Sequence, residues 1–221
     1  MQKIDKSTIL ATAYQTWVNA LETEGKEHGV YNSSNNKFYK DVVMNLLHCQ
    51  KGVCAYTEMY LCDIDFSSEQ YWQNGRYLGT HKPKGQLEHF NPDLKPNKAW
   101  LWDNLFVVDT DTNTKIKGIR KTNIILKPDH PDYDPYKLLT YNPKYHIFRA
   151  NDKIRDSTKV NAIEDMILTL GLNWDAVIDA RKKYLNELFQ DIQLGFKAIE
   201  DVKPYQFFTA FEMSKPYLEE L

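Results

Sequence analysis

Gly85-Gln-Leu-Glu-His-Phe-Asn-Pro92, then Trp102-Asp-Asn-Leu-Phe-Val-Val-Asp109, then Thr112-Asn-Thr-Lys115 is the run of residues from which the rest of the chain is best read. Two short apolar pieces, residues 86–90 and 104–108, have the length and residue types of strands. Each is followed by turn chemistry, Asn91-Pro92 after the first and Asp109-Thr110-Asp111 after the second. A short polar helix or turn over residues 112–120 comes next. The local order is therefore strand, loop, strand, helix.

On either side the pattern becomes helical. Leu10, Tyr14, Trp17 and Leu21 recur at three- and four-residue spacing, and Phe38, Val42 and Leu46 do so after a polar loop at 31–36. Downstream, Val160, Ile163, Ile167 and Leu170 form one stripe that Gly171 closes. Asn173 is a suitable cap for the next helix, whose stripe is Trp174, Val177, Ile178, Leu185, Leu188 and Ile192. Between them the segment Lys127-Pro-Asp-His-Pro-Asp-Tyr-Asp-Pro135 reads as a surface loop. These elements predict a single α+β unit: N-terminal helices over 1–50, a small core over 51–135 and a helical region over 136–221.

Composition narrows the class. Of 221 residues, 42% are apolar and 26% charged, as in an ordinary globular protein. No apolar run is long enough to span a bilayer, and the N-terminus turns polar at once, so a cytoplasmic protein without a membrane partner is expected. Three cysteines, Cys49, Cys54 and Cys62, lack C-x-x-C spacing and read as reduced thiols. The net charge of −2 argues against a chain coated with nucleic acid. Yet residues 76–127 hold ten Lys or Arg against five acids, a local excess that fits a polyanion site.

Hydrolysis of a phosphodiester needs a base near water, a cation at the developing charge and something to hold the base. Glu88, His89, Asn104 and Asn113 can supply these. A carboxylate and an amide oxygen are hard ligands suited to Mg²⁺ or Mn²⁺, and a neutral imidazole accepts a proton at physiological pH. His89 and Asn104 are fifteen residues apart, Asn104 and Asn113 nine. A regular strand would point Glu88 and His89 to opposite faces, so both reach one ion only where the strand ends.

This pattern resembles the HNH (ββα-metal) nucleases. The run Glu-His-Phe-x-Pro…Trp-Asp-Asn-Leu resembles in particular the HNH subunit of Septu-type and retron-associated anti-phage systems. Leu170-Gly-Leu-Asn-Trp-Asp-Ala-Val-Ile-Asp-Ala-Arg181 is similar to that subfamily's helical tail. The resemblance covers about residues 46–190. It implies a ββα-metal core wrapped by helices, with His89 as general base, Asn104 orienting it, and Glu88 and Asn113 as ligands of one Mg²⁺ or Mn²⁺. Lys115 and Lys117 would neutralise a neighbouring phosphate, although the family's lysine stands three residues after the asparagine, where Ile116 stands here. Nucleic acid is the implied substrate, DNA ahead of RNA, and an ABC/SMC-like ATPase the implied partner. The Phe207-Phe208…Phe211 segment is either its docking surface or part of this chain's core.

The family frames its hairpin with two C-x-x-C pairs holding structural zinc. The matching positions here are Cys54-Ala-Tyr-Thr57 and Asp109-Thr-Asp-Thr112, so structural zinc is not expected. Two rival readings stay open: a catalytically degenerate HNH module that binds a partner, and a nucleic-acid-binding protein without catalysis.

Overall fold

The computed structural model describes residues 1–28 and 36–218. Of the polar loop expected at 31–36, all but Asn36 lies outside the described residues. The fold is mixed α+β, with three small two-stranded antiparallel sheets among those residues. No helix is long and apolar enough to cross a membrane among the described residues. Where the sequence suggested one unit in three segments, the chain packs as two compact units, Ile4–Ala55 with Tyr60–Thr122, and Met1–Lys3 with Tyr56–Met59 and the described part of Asn123–Leu221.

The first unit contains α1 (Thr12–Thr23), α2 (Tyr39–Cys49), β1 (Trp72–Gln73), β2 (Arg76–Tyr77), β3 (Gly85–His89) and β4 (Leu105–Asp109). β3 and β4 pair antiparallel, with His89 opposite Leu105 and Gly85 opposite Asp109. Leu105, Phe106, Val107 and Val108 are all fully buried, so β4 is covered on both faces, α2 packing against it. The second edge of β4 is closed by a side chain. Gln50, itself fully buried, accepts the Val107 N–H (2.9 Å) and donates to the Val107 carbonyl (2.8 Å), as a neighbouring strand would. Asn45 does the same at the start of α1. Its Oδ1 takes the N–H groups of Leu10 and Ala11, and its Nδ2 donates to the Thr8 carbonyl.

β1 and β2 form a tight hairpin around Asn74-Gly75, both at positive φ (50° and 72°), the conformation a two-residue turn of this kind requires. Gly75 has a second reason to be glycine: a Cβ there would lie 2.2 Å from Thr12 Oγ1 and 2.4 Å from the Ala13 nitrogen. Asp41 of α2, 2% exposed, receives the Tyr77 N–H and the Arg76 guanidinium, which ties the hairpin to the helix.

The second unit contains α3 (Pro135–Leu138), β5 (Leu139–Asn142), β6 (Ile147–Ala150), α4 (Ser157–Thr169), α5 (Asp175–Gln193) and α6 (Phe208–Ser214). The expected α4 stripe is present in part, with Ile163 and Ile167 buried and Leu170 just past its end. Gly171 then takes φ 71°. α5 departs from expectation in two ways. Asn173 does not cap it; its side chain accepts the Phe148 N–H and donates to the Phe148 carbonyl, clamping β6. The buried face also includes Phe189, outside the expected stripe, and Arg181 and Tyr184, which an apolar count passes over. Arg181 bonds the carbonyls of Leu172 (2.7 Å) and His146 (2.6 Å) and faces the rings of Tyr141, Phe148 and Phe207.

One further expectation changes, and one open choice closes. The loop at 127–135 is not wholly superficial: Tyr133 is 1% exposed and its hydroxyl donates to the Met1 carbonyl. Phe207 and Phe211 are fully buried within their own unit, against Tyr184 and Phe189, so neither presents a docking surface.

His146 gives this unit an acid-sensitive point. Burial, then the charges of Arg181 and Lys182, push its pKa down to about 4, while Tyr141 donates to its Nδ1 and Asn186 bonds its side chain. The fold thus favours the neutral ring. That stabilisation is complete above the ordinary histidine value of about 6.5 and is lost as pH falls toward 4. His146→Asn, which tolerates the positive φ of 55° and takes up no proton, should move acid unfolding to lower pH. Unchanged acid unfolding by circular dichroism would contradict this.

Candidate active site

His89 ends β3 and is 4% exposed. Its Nε2 lies 2.8 Å from the carbonyl oxygen of Ala99. A carbonyl only accepts, so the ring proton sits on Nε2 and Nδ1 is the basic nitrogen. Burial pushes the imidazole pKa down to about 4, with Lys95 and Lys117 adding repulsion against the Ala99 bond. The ring is accordingly neutral at physiological pH.

Glu88, one residue earlier, is also 4% exposed and opposes Phe106 across the ladder. Its carboxylate forms an ion pair with Lys117, whose side chain is fully buried and whose ammonium also donates to the His89 carbonyl at 3.0 Å. Burial raises the Glu88 pKa even though Lys117 and Lys95 oppose the shift. Glu88 Oε1 faces this ammonium directly, a charge-assisted contact in a buried place.

Lys117 reaches this place because of an unusual turn. Thr112–Lys117 is π-helical, closed by the Gly118 N–H to the Asn113 carbonyl at 2.9 Å, five residues back. A π-turn holds one residue more than an α-turn. It turns the Lys117 side chain, four residues after Asn113, inward against Glu88. Contrary to the expected phosphate role, Lys117 is buried against Glu88. Lys115 is exposed and pairs with Asp111 at 2.9 Å, an i,i+4 pair worth little.

The Asn104 side chain is engaged with the backbone just after His89. Its Oδ1 accepts the Asn91 N–H (2.8 Å) and its Nδ2 donates to the Asn91 carbonyl (2.9 Å), while its own carbonyl accepts from Phe90. Asn104 thus holds the chain immediately after His89, and the Ala99 carbonyl holds the ring. Asn91 in turn caps the 3₁₀ turn Pro92–Leu94 through the Asp93 N–H. Asn104→Ala leaves both Asn91 groups without these partners. It should cost about 1–3 kcal/mol in urea unfolding and loosen His89; a variant as stable as the parent would show the clamp to be unimportant.

Asn113 donates from Nδ2 to Gln86 Oε1 at 3.2 Å, which brings the π-turn against β3. Gln86 and Glu88 share a strand face, so the hairpin and the π-turn assemble a carboxylate and amide oxygens together. Among the described residues no three His, Cys, Asp or Glu side chains converge as a metal-binding group. The available donors are one carboxylate and amide oxygens, hard ligands of the kind Mg²⁺ accepts alongside substrate phosphate and water. The buried Glu88 carboxylate fits such an ion, provided the Lys117 ammonium gives way.

At the positions compared with zinc cysteines, Cys54 Sγ accepts the Asp109 N–H at 3.4 Å. Asp109 Oδ1 accepts the N–H groups of Asp111 and Thr112. A carboxylate cap therefore starts the π-turn here. Sequence reading missed Ala99, whose role is a backbone atom, and Gln86 and Lys95, which carry no motif signal. The chain matches no protein-family model and no curated protein.

Proposed function

We propose that this chain is a metal-dependent endonuclease of the HNH class, hydrolysing nucleic-acid phosphodiesters with DNA preferred to RNA. The observation that carries the reading is the buried His89 whose Nε2–H is committed to the Ala99 carbonyl, which leaves a neutral imidazole with Nδ1 as its base. The antiparallel β3–β4 pair followed by the Asn113-bearing turn supports a ββα-metal core.

In this mechanism His89 Nδ1 takes the proton of the attacking water. Asn104 fixes the backbone behind it, and Ala99 prevents the ring from turning. Glu88 and Asn113 would hold a Mg²⁺ or Mn²⁺ ion, which supplies Lewis-acid stabilisation of the phosphorane and the departing 3′ oxygen when bound. Lys95, exposed yet near enough to act on both Glu88 and His89, is better placed than Lys115 or Lys117 to meet a substrate phosphate. The subfamily resemblance further proposes a defence role under an ABC/SMC-like ATPase.

The Glu88–Lys117 ion pair favours a second reading, in which the carboxylate is sealed and the module only binds. Incubation of the protein with labelled DNA and RNA, with Mg²⁺ or Mn²⁺ and with chelator, separates the two. The nuclease reading expects chelator-sensitive cutting that rises when the ATPase partner is added. Binding without cutting under every metal condition would leave the second reading standing.

A further inference from the structure

The second unit carries a groove of about 750 Å³ that the catalytic residues do not touch. One wall is a single face of α5, with Lys182, Asn186, Gln190 and Gln193 at spacings of four, four and three. Across from it stands the β5–β6 turn, which contributes Lys144, and Tyr217 lies along the rim, 44% exposed. No Asp or Glu lines the groove among the described residues, and neither Lys144 nor Lys182 is in an ion pair among them.

The turn that carries Lys144 is held in place at a cost. His146 adopts φ 55°, a conformation that strains a non-glycine residue. Three contacts fix it. Arg181, fully buried, bonds its carbonyl; Tyr141 donates to its ring; and Asn142 Oδ1 takes the N–H groups of Lys144 and Tyr145. Lys144 is thus set opposite Lys182 by a rigid support rather than left on a free loop.

We infer that this groove binds single-stranded nucleic acid. Two ammonium groups answer backbone phosphates, Tyr217 offers a face for base stacking, and the carboxamides of Asn186, Gln190 and Gln193 both donate and accept at base edges. Length favours a strand over a mononucleotide. From Lys182 to Gln193 the helix runs about 16 Å, several times the roughly 3.4 Å axial spacing of nucleotides. The inference does not depend on His89, because the groove lies in the other unit.

The test is fluorescence anisotropy of a labelled oligothymidylate titrated with the full chain in chelator, where the proposed cutting is silent. Unlabelled duplex, ATP and poly-glutamate serve as competitors. Lys144→Ala/Lys182→Ala, both exposed positions, should weaken binding and lower the slope of log affinity against log salt by about 1.4, at about 0.7 for each phosphate contact. Tyr217→Ala should lose about tenfold through stacking. Single strand should outcompete duplex, ATP and poly-glutamate. The inference is overturned if the double-lysine variant binds as the parent does, or if any of the other competitors displaces the probe as well as the single strand does.

Discussion

His89→Gln should lower the cleavage rate by about 10²- to 10⁴-fold, the range a positioned general base contributes, and leave the first unit folded. The choice of glutamine follows from the geometry. The Ala99 carbonyl needs a donor, and a glutamine amide supplies one while offering no nitrogen base. His89→Ala removes the base and the donor together. It leaves a buried carbonyl unpaired at about 1–3 kcal/mol and a cavity besides. Comparing the two variants by cleavage rate and urea unfolding therefore separates chemistry from stability. Equal loss of rate with unequal stability is the expected pattern. Substantial cutting by His89→Gln would remove His89 from the mechanism.

The second large effect concerns Glu88 and Lys117. Each is buried, and removing either strands the other's charge, at about 3–5 kcal/mol. Glu88→Gln and Lys117→Met should each destabilise the protein by that amount in chelator, whereas the double variant should come close to the parent. The pH dependence has a definite sign. Burial already raises the Glu88 pKa in the fold, and Lys117→Met removes the stronger of the two cations that oppose the rise, leaving Lys95. Its stability should therefore be greatest below the ordinary carboxylate value and fall as pH rises through the folded value. Metal binding reads the same pair differently. With the ammonium gone, the carboxylate is open to a hard cation, so Lys117→Met should bind Mn²⁺ more tightly than the parent while Glu88→Gln binds it less. Additive destabilisation in the double variant would mean that the two side chains are not coupled.

Much of the first unit was legible because its signals are local. The β3–β4 pair followed from two short apolar runs flanked by Asn-Pro and Asp-rich turns, and each strand is displaced by one residue from its expected span. The β1–β2 hairpin was not anticipated: Asn74-Gly75 is a strong two-residue turn signal, but strands of two residues carry no periodicity to draw attention. β5 and β6 escaped for a related reason: Leu139/Tyr141 and Phe148/Ala150 alternate inward over only four residues each.

What remained hidden was the work of carboxamides and one arginine. Gln50, Asn45, Asn104 and Asn173 each satisfy backbone groups of a distant segment, and nothing in sequence distinguishes such an amide from a cap or a loop residue. Asn104 shows the consequence for the site: a position expected to steer the imidazole instead secures the peptide two residues beyond it. Lys117 shows the other difficulty. Its inward direction depends on the π-turn, and helix type is not encoded in spacing.

His89 Nδ1 can act as the base only while the ring proton sits on Nε2. Nitrogen-15 correlation spectra of the imidazoles in the intact chain at neutral pH, with His89 assigned from the His89→Gln spectrum, read this directly. The expected result is a pyrrole-like, protonated Nε2 and a pyridine-like Nδ1 that persists as pH is lowered well below 6.5. A protonated Nδ1, or a ring that is cationic at neutral pH, would contradict the assignment of His89 as the base.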